Sequence, residues 1–246
     1  NAGWYAGIGH VERMPDYWEL FSPNRGPMHS VNAFPAVQPE KTTQLDIGAQ
    51  YRGARFDAWV SAYVGRIGDY ILFAYEDGGM MGQSTMATNV GARIHGAEAG
   101  VEFRPHAHWK LGATLAYAWG ENATDHRPSP QMPPLDLRLT AGYDDGRWSV
   151  GALLRAVQSQ DRVAVGQGNV VGRDLGPSAG FVTLALNAGY RFNAQWRLTA
   201  GVDNVFDRTY SEHLNLSGSA DFGYPAEPVR INEPGRLTWV KLNFAF

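Results

Sequence analysis

Val182-Thr183-Leu184-Ala185-Leu186-Asn187-Ala188-Gly189-Tyr190-Arg191-Phe192 reads with a period of two. Val182, Leu184, Leu186, Ala188, Tyr190 and Phe192 share one side; Thr183, Ala185, Asn187, Gly189 and Arg191 share the other. Successive side chains of a strand point to opposite faces, whereas a helix would bring positions three and four apart together. The segment is therefore a strand with one apolar and one polar face. The same alternation runs from Trp109 to Trp119 and from Leu135 to Tyr143.

Extending outward from these segments, the pattern predicts ten strands, near 1–9, 42–52, 55–71, 90–104, 109–119, 135–143, 148–156, 181–192, 195–203 and 236–246. Short turns such as Asp144-Asp145-Gly146 alternate with long loops near 11–41, 77–87, 120–134, 157–180 and 204–235. Tight turns at one end and long loops at the other are the rhythm of an outer-membrane barrel. Aromatic residues cluster at strand ends (Trp109, Trp119, Tyr143, Trp148, Tyr190, Phe192 and Trp196), as interfacial girdles do. The polar face must then line the lumen, because only there can water reach Asp136, Arg138, Arg191 and Asp203. Gly112, Gly142, Gly151, Gly189 and Gly201 lie on that face, either clearing space for something inside or easing strand coiling. The fold class is an all-β, antiparallel transmembrane barrel.

Composition narrows the function. Lys and Arg total 21 against 24 Asp and Glu, leaving no basic field for nucleic acid. Cysteine is absent, which removes disulfides and thiol chemistry. No apolar run is long enough for a membrane helix. The start Asn1-Ala2-Gly3-Trp4-Tyr5 lacks an initiator Met and falls inside a strand pattern, so a fragment or mature piece is expected. Nucleophile-elbow and zinc-protease motifs are missing. Asp207, Ser211 and His213 sit too close together in one loop to fix a base–nucleophile geometry, so no catalytic residue and no enzyme activity are expected.

The terminal strand ends Val240-Lys241-Leu242-Asn243-Phe244-Ala245-Phe246. Phe246 on this alternation resembles the C-terminal signal read by the barrel assembly machinery. Three further stretches resemble TonB-dependent outer-membrane receptors: Asn204-Val205-Phe206-Asp207-Arg208-Thr209-Tyr210, the segment from Gln38 to Gly48, and Arg13-Met14-Pro15-Asp16-Tyr17-Trp18-Glu19-Leu20-Phe21. The last of these, with Glu212-His213-Leu214, is most similar to the copper-receptor branch. The resemblance singles out Asn204, Phe206, Asp207 and Tyr210 as family-motif residues. It implies that residues 1–246 are the C-terminal ten strands of a 22-stranded barrel, with the plug and remaining strands elsewhere. It also implies a bacterial outer-membrane location, lipid around the barrel, and energy from the TonB complex through an N-terminal part not in this sequence.

All six methionines (Met14, Met28, Met80, Met81, Met86 and Met132) fall in the expected outward loops, with His10, His29, His126 and His213 in or beside them. Thioether with imidazole selects copper, Cu(I) above all. Met28, His29, Met80 and Met81 are the sharpest candidate ligands, with copper as a transported ligand and no cofactor required. Loop aromatics such as Tyr17, Trp18, Phe21 and Phe34 suit a ferric siderophore equally, and a passive porin-like channel is the other alternative. His106 and His108 form a His-x-His in a short turn on the opposite end, where a solvated turn is expected rather than a site.

Overall fold

The computed structural model describes residues 1–23, 31–33, 36–77, 83–169, 172–218 and 229–245. In chain order the elements are β1 (Ala2–Arg13), the helical turn α1 (Tyr17–Leu20), β2 (Phe21–Pro23), β3 (Val31–Ala33), β4 (Glu40–Arg52), β5 (Phe56–Asp77), β6 (Gln83–Phe103), β7 (Trp109–Asn122), β8 (Arg127–Pro128), β9 (Asp136–Asp144), β10 (Trp148–Val157), β11 (Gln167–Gly168), β12 (Phe181–Arg191), β13 (Trp196–Asp203) and β14 (Leu237–Phe244). One sheet runs β1-β4-β5-β6-β7-β9-β10-β12-β13-β14, every neighbour antiparallel. These are the ten expected strands in the expected order. The short β8 and β11 attach to β7 and β5, and β2 pairs with β3 apart from the main sheet.

The strands end near their expected limits except at β1, which continues to Arg13, and at β5 and β6. The latter two run past the membrane-length strands, to Asp77 and from Gln83, after a bulge between Ile67 and Tyr70 where Asp69 takes φ 57°. The extension persists because Ile71, Leu72 and Phe73 are buried there. Met86 consequently sits on β6 and not in a loop, contrary to the sequence expectation.

The register settles which face is which. On the apolar side Ile8, Leu45, Val64, Leu115, Leu139, Leu186 and Val240 are all exposed. A water-soluble sheet would not leave that whole face bare; in a barrel, lipid covers it. Around the short-turn end an aromatic row follows the same face: Trp109 against Tyr143, Trp148 against Tyr190, Tyr190 against Phe192, and Trp196 against Phe244, with ring centroids 4.5 to 5.3 Å apart. The turns there are closed by side chains. Asp145 Oδ1 accepts from the backbone N–H of Arg147 and Trp148 beside Gly146 at φ 87°.

The lumenal glycines have a specific use. A Cβ on Gly100 would lie 2.4 Å from the Trp59 ring, and one on Gly201 2.4 Å from Trp239. Gly112, Gly151 and Gly189 make room in the same way for Thr140, Asn187 and Ser149 on the neighbouring strand. Of the five named from sequence, only Gly142 has room for a Cβ without a close approach, its nearest atom, the Lys110 carbonyl oxygen, being at an ordinary contact distance of 3.8 Å. Cross-strand side chains use the space at the other four.

Candidate functional site

The long connections fold together over the loop end of the sheet. The segment Asn204–Tyr210 forms the base of the last one. Asn204 and Asp207 adopt φ 49° and 51°, the left-handed region that Asn and Asp tolerate best. The Asn204 amide donates to the Arg208 carbonyl at 2.8 Å and accepts from the Arg208 N–H at 2.9 Å. Asp207 Oδ1 accepts from the Arg236 N–H at 2.8 Å, and Arg236 Nε donates to the Val205 carbonyl. Departure and return of the 204–236 loop are thus clamped to each other. Phe206 is exposed, while Tyr210 packs its ring 4.2 Å from Phe181.

The other two motif stretches meet at the opposite side of the loop end. Asp16 and Glu19 form a capping box on α1. Glu19, buried, receives two 2.8 Å hydrogen bonds from the Arg13 guanidinium, whose Nε donates to Glu40 at 2.7 Å. The second Glu40 oxygen accepts from the Ile71 N–H. Arg13, Glu19 and Glu40 thereby tie β1, α1 and β4 to the β5 extension. Beside them lies a small apolar cluster of Val37, Ile71, Phe73 and Ala87, with Leu20 and Tyr75 against it.

Residues 158–180 leave β10, reach across to β5, and return to β12. β11 pairs Gln167 with Ala74 and Gly168 with Phe73, and the Tyr75 hydroxyl donates to the Asn169 carbonyl. Three strands, β6, β7 and β9, lie between β11's partner β5 and β10 along the sheet order, so this loop reaches across them. It is locked to the 204–236 loop by buried His213. His213 Nδ1 is hydrogen-bonded to Ser178 Oγ at 2.9 Å, and Nε2 stops 3.7 Å from Asp174 Oδ1 without a hydrogen-bond partner. Asp174 is itself held by the backbone N–H groups of Gln131 and Ala164. Arg230 donates to the carbonyls of His213, Pro177 and Gly176. Burial, reinforced by the Arg230 charge, lowers the His213 pKa below the ordinary imidazole value. The trio is sealed from solvent and works as a loop lock. Ser211 is not its hydroxyl partner, and Asp207 is engaged at Arg236.

Under the locked loops, against the lumen wall, lies a cavity of about 440 Å³ bounded by Tyr63, Glu98, Asp136, Arg155 and Glu212. Arg155 is its hub: Nε donates to Asp136 at 2.9 Å, and the two terminal nitrogens hold both Glu212 oxygens. Arg138 adds a second cation to Asp136 at 3.0 Å. The guanidinium also lies 5.3 Å from the Phe181 ring centroid. This network docks the last loop on β9 and β10. It offers carboxylates and a guanidinium to a polar solute and has no exposed nucleophile. Asp136 and Arg138 were legible as lumenal charges, whereas their link through Arg155 to Glu212 had no local signal in the sequence.

Met28, His29, Met80 and Met81 lie outside the described residues, as does Phe246. Met14 and Met86 are exposed. Met132 packs over Gly120, where a Cβ would meet its sulfur at 2.8 Å. Among the described residues no three His, Asp or Glu side chains converge on a possible metal position. His108 Nδ1 is engaged with the Asp144 carbonyl at 3.0 Å in an exposed short turn.

Residues 1–205 match the family model described as TonB dependent receptor-like, beta-barrel. Among solved structures, a protein titled copper transporter OprC is 54% identical over 100% of this chain, with a TM-score of 0.91. A mutant of the ferric enterobactin receptor PfeA from Pseudomonas aeruginosa is 19% identical over 100% of the chain, with a TM-score of 0.73. The FrpB iron transporter from Neisseria meningitidis is 16% identical over 99%, with a TM-score of 0.69. The latter two share the fold. The chain spans 37% of the OprC structure's length and 38% and 37% of the other two.

Proposed function

The chain belongs to the TonB-dependent receptors of the bacterial outer membrane, as part of their β-barrel, and from that premise we propose that the protein it represents imports copper. The observation that carries the proposal is the 54% identity, over the whole of this chain, to a protein titled a copper transporter. In this reading residues 1–246 are one continuous C-terminal portion of the barrel. The remaining strands and the plug fill out the pore, and the TonB complex supplies the energy for release inward. Phe246 serves the assembly machinery. The family moves solutes and does not transform them, so the wall contributes a path and loop ligands.

Copper is taken up at the loop end. Met28, His29, Met80 and Met81 provide the thioether and imidazole donors that a soft cation prefers over water. The locked loops hold the mouth, and the charged cavity below passes a hydrated or ligated ion toward the lumen.

The test uses the full-length receptor. Copper per molecule is measured by elemental analysis after equilibrium dialysis, for the natural protein and for Met28→Ala/Met80→Ala/Met81→Ala. Weaker copper binding in the triple variant supports the loop donors. Copper binding with unchanged affinity removes those residues from the proposal. Absence of copper binding by the natural receptor, with saturable binding of a ferric siderophore, replaces the proposal by the siderophore reading.

A further inference from the structure

On the lipid side, immediately above the apolar band, one row of cross-strand partners reads His10–Thr43–Arg66–Arg93–Glu121 across β1, β4, β5, β6 and β7. The row beneath it reads Ile8–Leu45–Val64–His95–Trp119. Arg66 and Arg93 are therefore direct neighbours, both exposed, and both point away from the lumen. Like charges directly opposite each other on a sheet are unfavourable. In the same row Glu121 stands opposite Arg93 and offsets part of its charge, while Arg66 has the uncharged Thr43 on its other side. Neither guanidinium has an ion-pair or hydrogen-bond partner among the described residues; Glu121 Oε1 comes within 3.9 Å of His126 Nδ1, and Lys41 above is paired with Asp69.

Depth fixes the environment. From Phe56 in the aromatic rim to Arg66 is ten steps, roughly 33 Å along the strand and about 25 Å along the membrane normal at a ~40° tilt. That is the height of the apolar band, so the two arginines stand at the headgroups of the outer leaflet. Beside them Trp119 is stacked on His95 at 4.5 Å, and the Arg162 guanidinium lies 4.5 Å from the Trp119 ring centroid. The β7–β9 ladder stops at Ala116 and Asp136, which opens a groove of about 230 Å³ next to Trp119, lined in part by Tyr117, Leu135 and Arg162.

We propose that Arg66, Arg93 and the Trp119–Arg162 groove bind a phosphorylated glycolipid of the outer leaflet. A phosphate between the two guanidiniums removes their repulsion through charge-assisted hydrogen bonds. The sugar seats in the groove against Tyr117 and Leu135, at the edge of the Trp119 ring that His95 and Arg162 cover, and the acyl chains run down Val64 and Leu45. Basic clusters at the edge of a membrane band recognise anionic headgroups by this physics.

The experiment is native mass spectrometry of the full-length receptor in detergent, titrated with bisphosphorylated lipid A, with the same lipid lacking both phosphates, and with inorganic phosphate as competitor. The natural protein is expected to hold the phosphorylated lipid at least tenfold more tightly than the dephosphorylated one. Arg66→Gln/Arg93→Gln is expected to lose that preference. Arg66→Lys/Arg93→Lys, which keeps the charge, retains most of it, and Arg55→Gln, in a turn at the far end, changes nothing. Heat-shifted electrophoretic mobility verifies that each variant is a folded barrel. Equal retention of the phosphorylated lipid by the glutamine variant overturns the proposal. So does displacement by millimolar inorganic phosphate, which would assign the site to a free anion.

Discussion

Replacing Glu19 is expected to release the α1 corner without loosening the barrel. Glu19 is almost completely buried, yet the Arg13 side chain it holds is 47% exposed. Water therefore recovers part of what the guanidinium loses. Each of the two 2.8 Å bonds is accordingly set at about 1 kcal/mol, below the ~1.5–3 kcal/mol of a fully buried charged hydrogen bond. Glu19 Oε2 also accepts from the Asp16 N–H at 2.9 Å, and loss of this half of the capping box costs about 1 kcal/mol more. Glu19→Ala removes all three, about 3 kcal/mol, or roughly 150-fold in a local opening equilibrium. Glu19→Gln keeps the cap and one bond to Arg13 and costs about 1 kcal/mol, roughly fivefold. Hydrogen–deuterium exchange of the full-length receptor in detergent reads this directly at the Glu19 and Leu20 amides, which are hydrogen-bonded to Asp16. The ladders of β9, β10, β12, β13 and β14 share no contact with the corner and should exchange as before. Acceleration of these amides by less than threefold in Glu19→Ala, or acceleration that spreads evenly into β9, β10 and β12–β14, would rule out Glu19 as the local tie of this corner.

The loop lock should depend on pH. Because the folded His213 pKa is depressed, its stabilising effect is complete above the unfolded value near 6.5 and is lost as pH falls from there toward the folded pKa. Exchange in 172–180 and 204–218, corrected for intrinsic rates, should rise below pH 6.5, and His213→Gln should abolish that extra pH dependence. The lumenal glycines should rank by what a methyl group would strike. Gly142→Ala is expected to be neutral within about 0.5 kcal/mol, Gly100→Ala to cost about 1 kcal/mol by displacing Trp59, and Gly96→Ala about 2–3 kcal/mol, because the obstacle includes the Tyr117 carbonyl at 2.6 Å. Urea titration of the barrel refolded in lipid vesicles measures the order, and equal costs at all three positions would contradict the packing account.

Strand number, strand order and the identity of the two faces could be read from the chain because they rest on a local period. Neighbours along an up-and-down sheet are also neighbours in sequence, so Val182–Phe192 and its counterparts carry their own topology. The sealed loop lock was not legible. Ser178 and His213 are 35 positions apart, and Asp174 reaches the pair only because residues 158–180 fold back across the mouth. The β5–β6 extension escaped the period reading for a related reason. Its burial comes from Val37 and Leu20, which belong to another loop.

The motif stretches show the division most clearly. The sequence by itself determined that Arg13, Glu19 and Glu40 are marked residues, that the polar face is lumenal, and that glycine recurs there. Only the tertiary structure decided that Arg13 joins both glutamates, that glycine yields to the aromatic ring of the next strand, and that Arg66 and Arg93 share one position on the lipid side. Alternation fixes which way a side chain points and is written residue by residue. Register between strands fixes which side chain it meets, and that is settled by the packing of many residues at once.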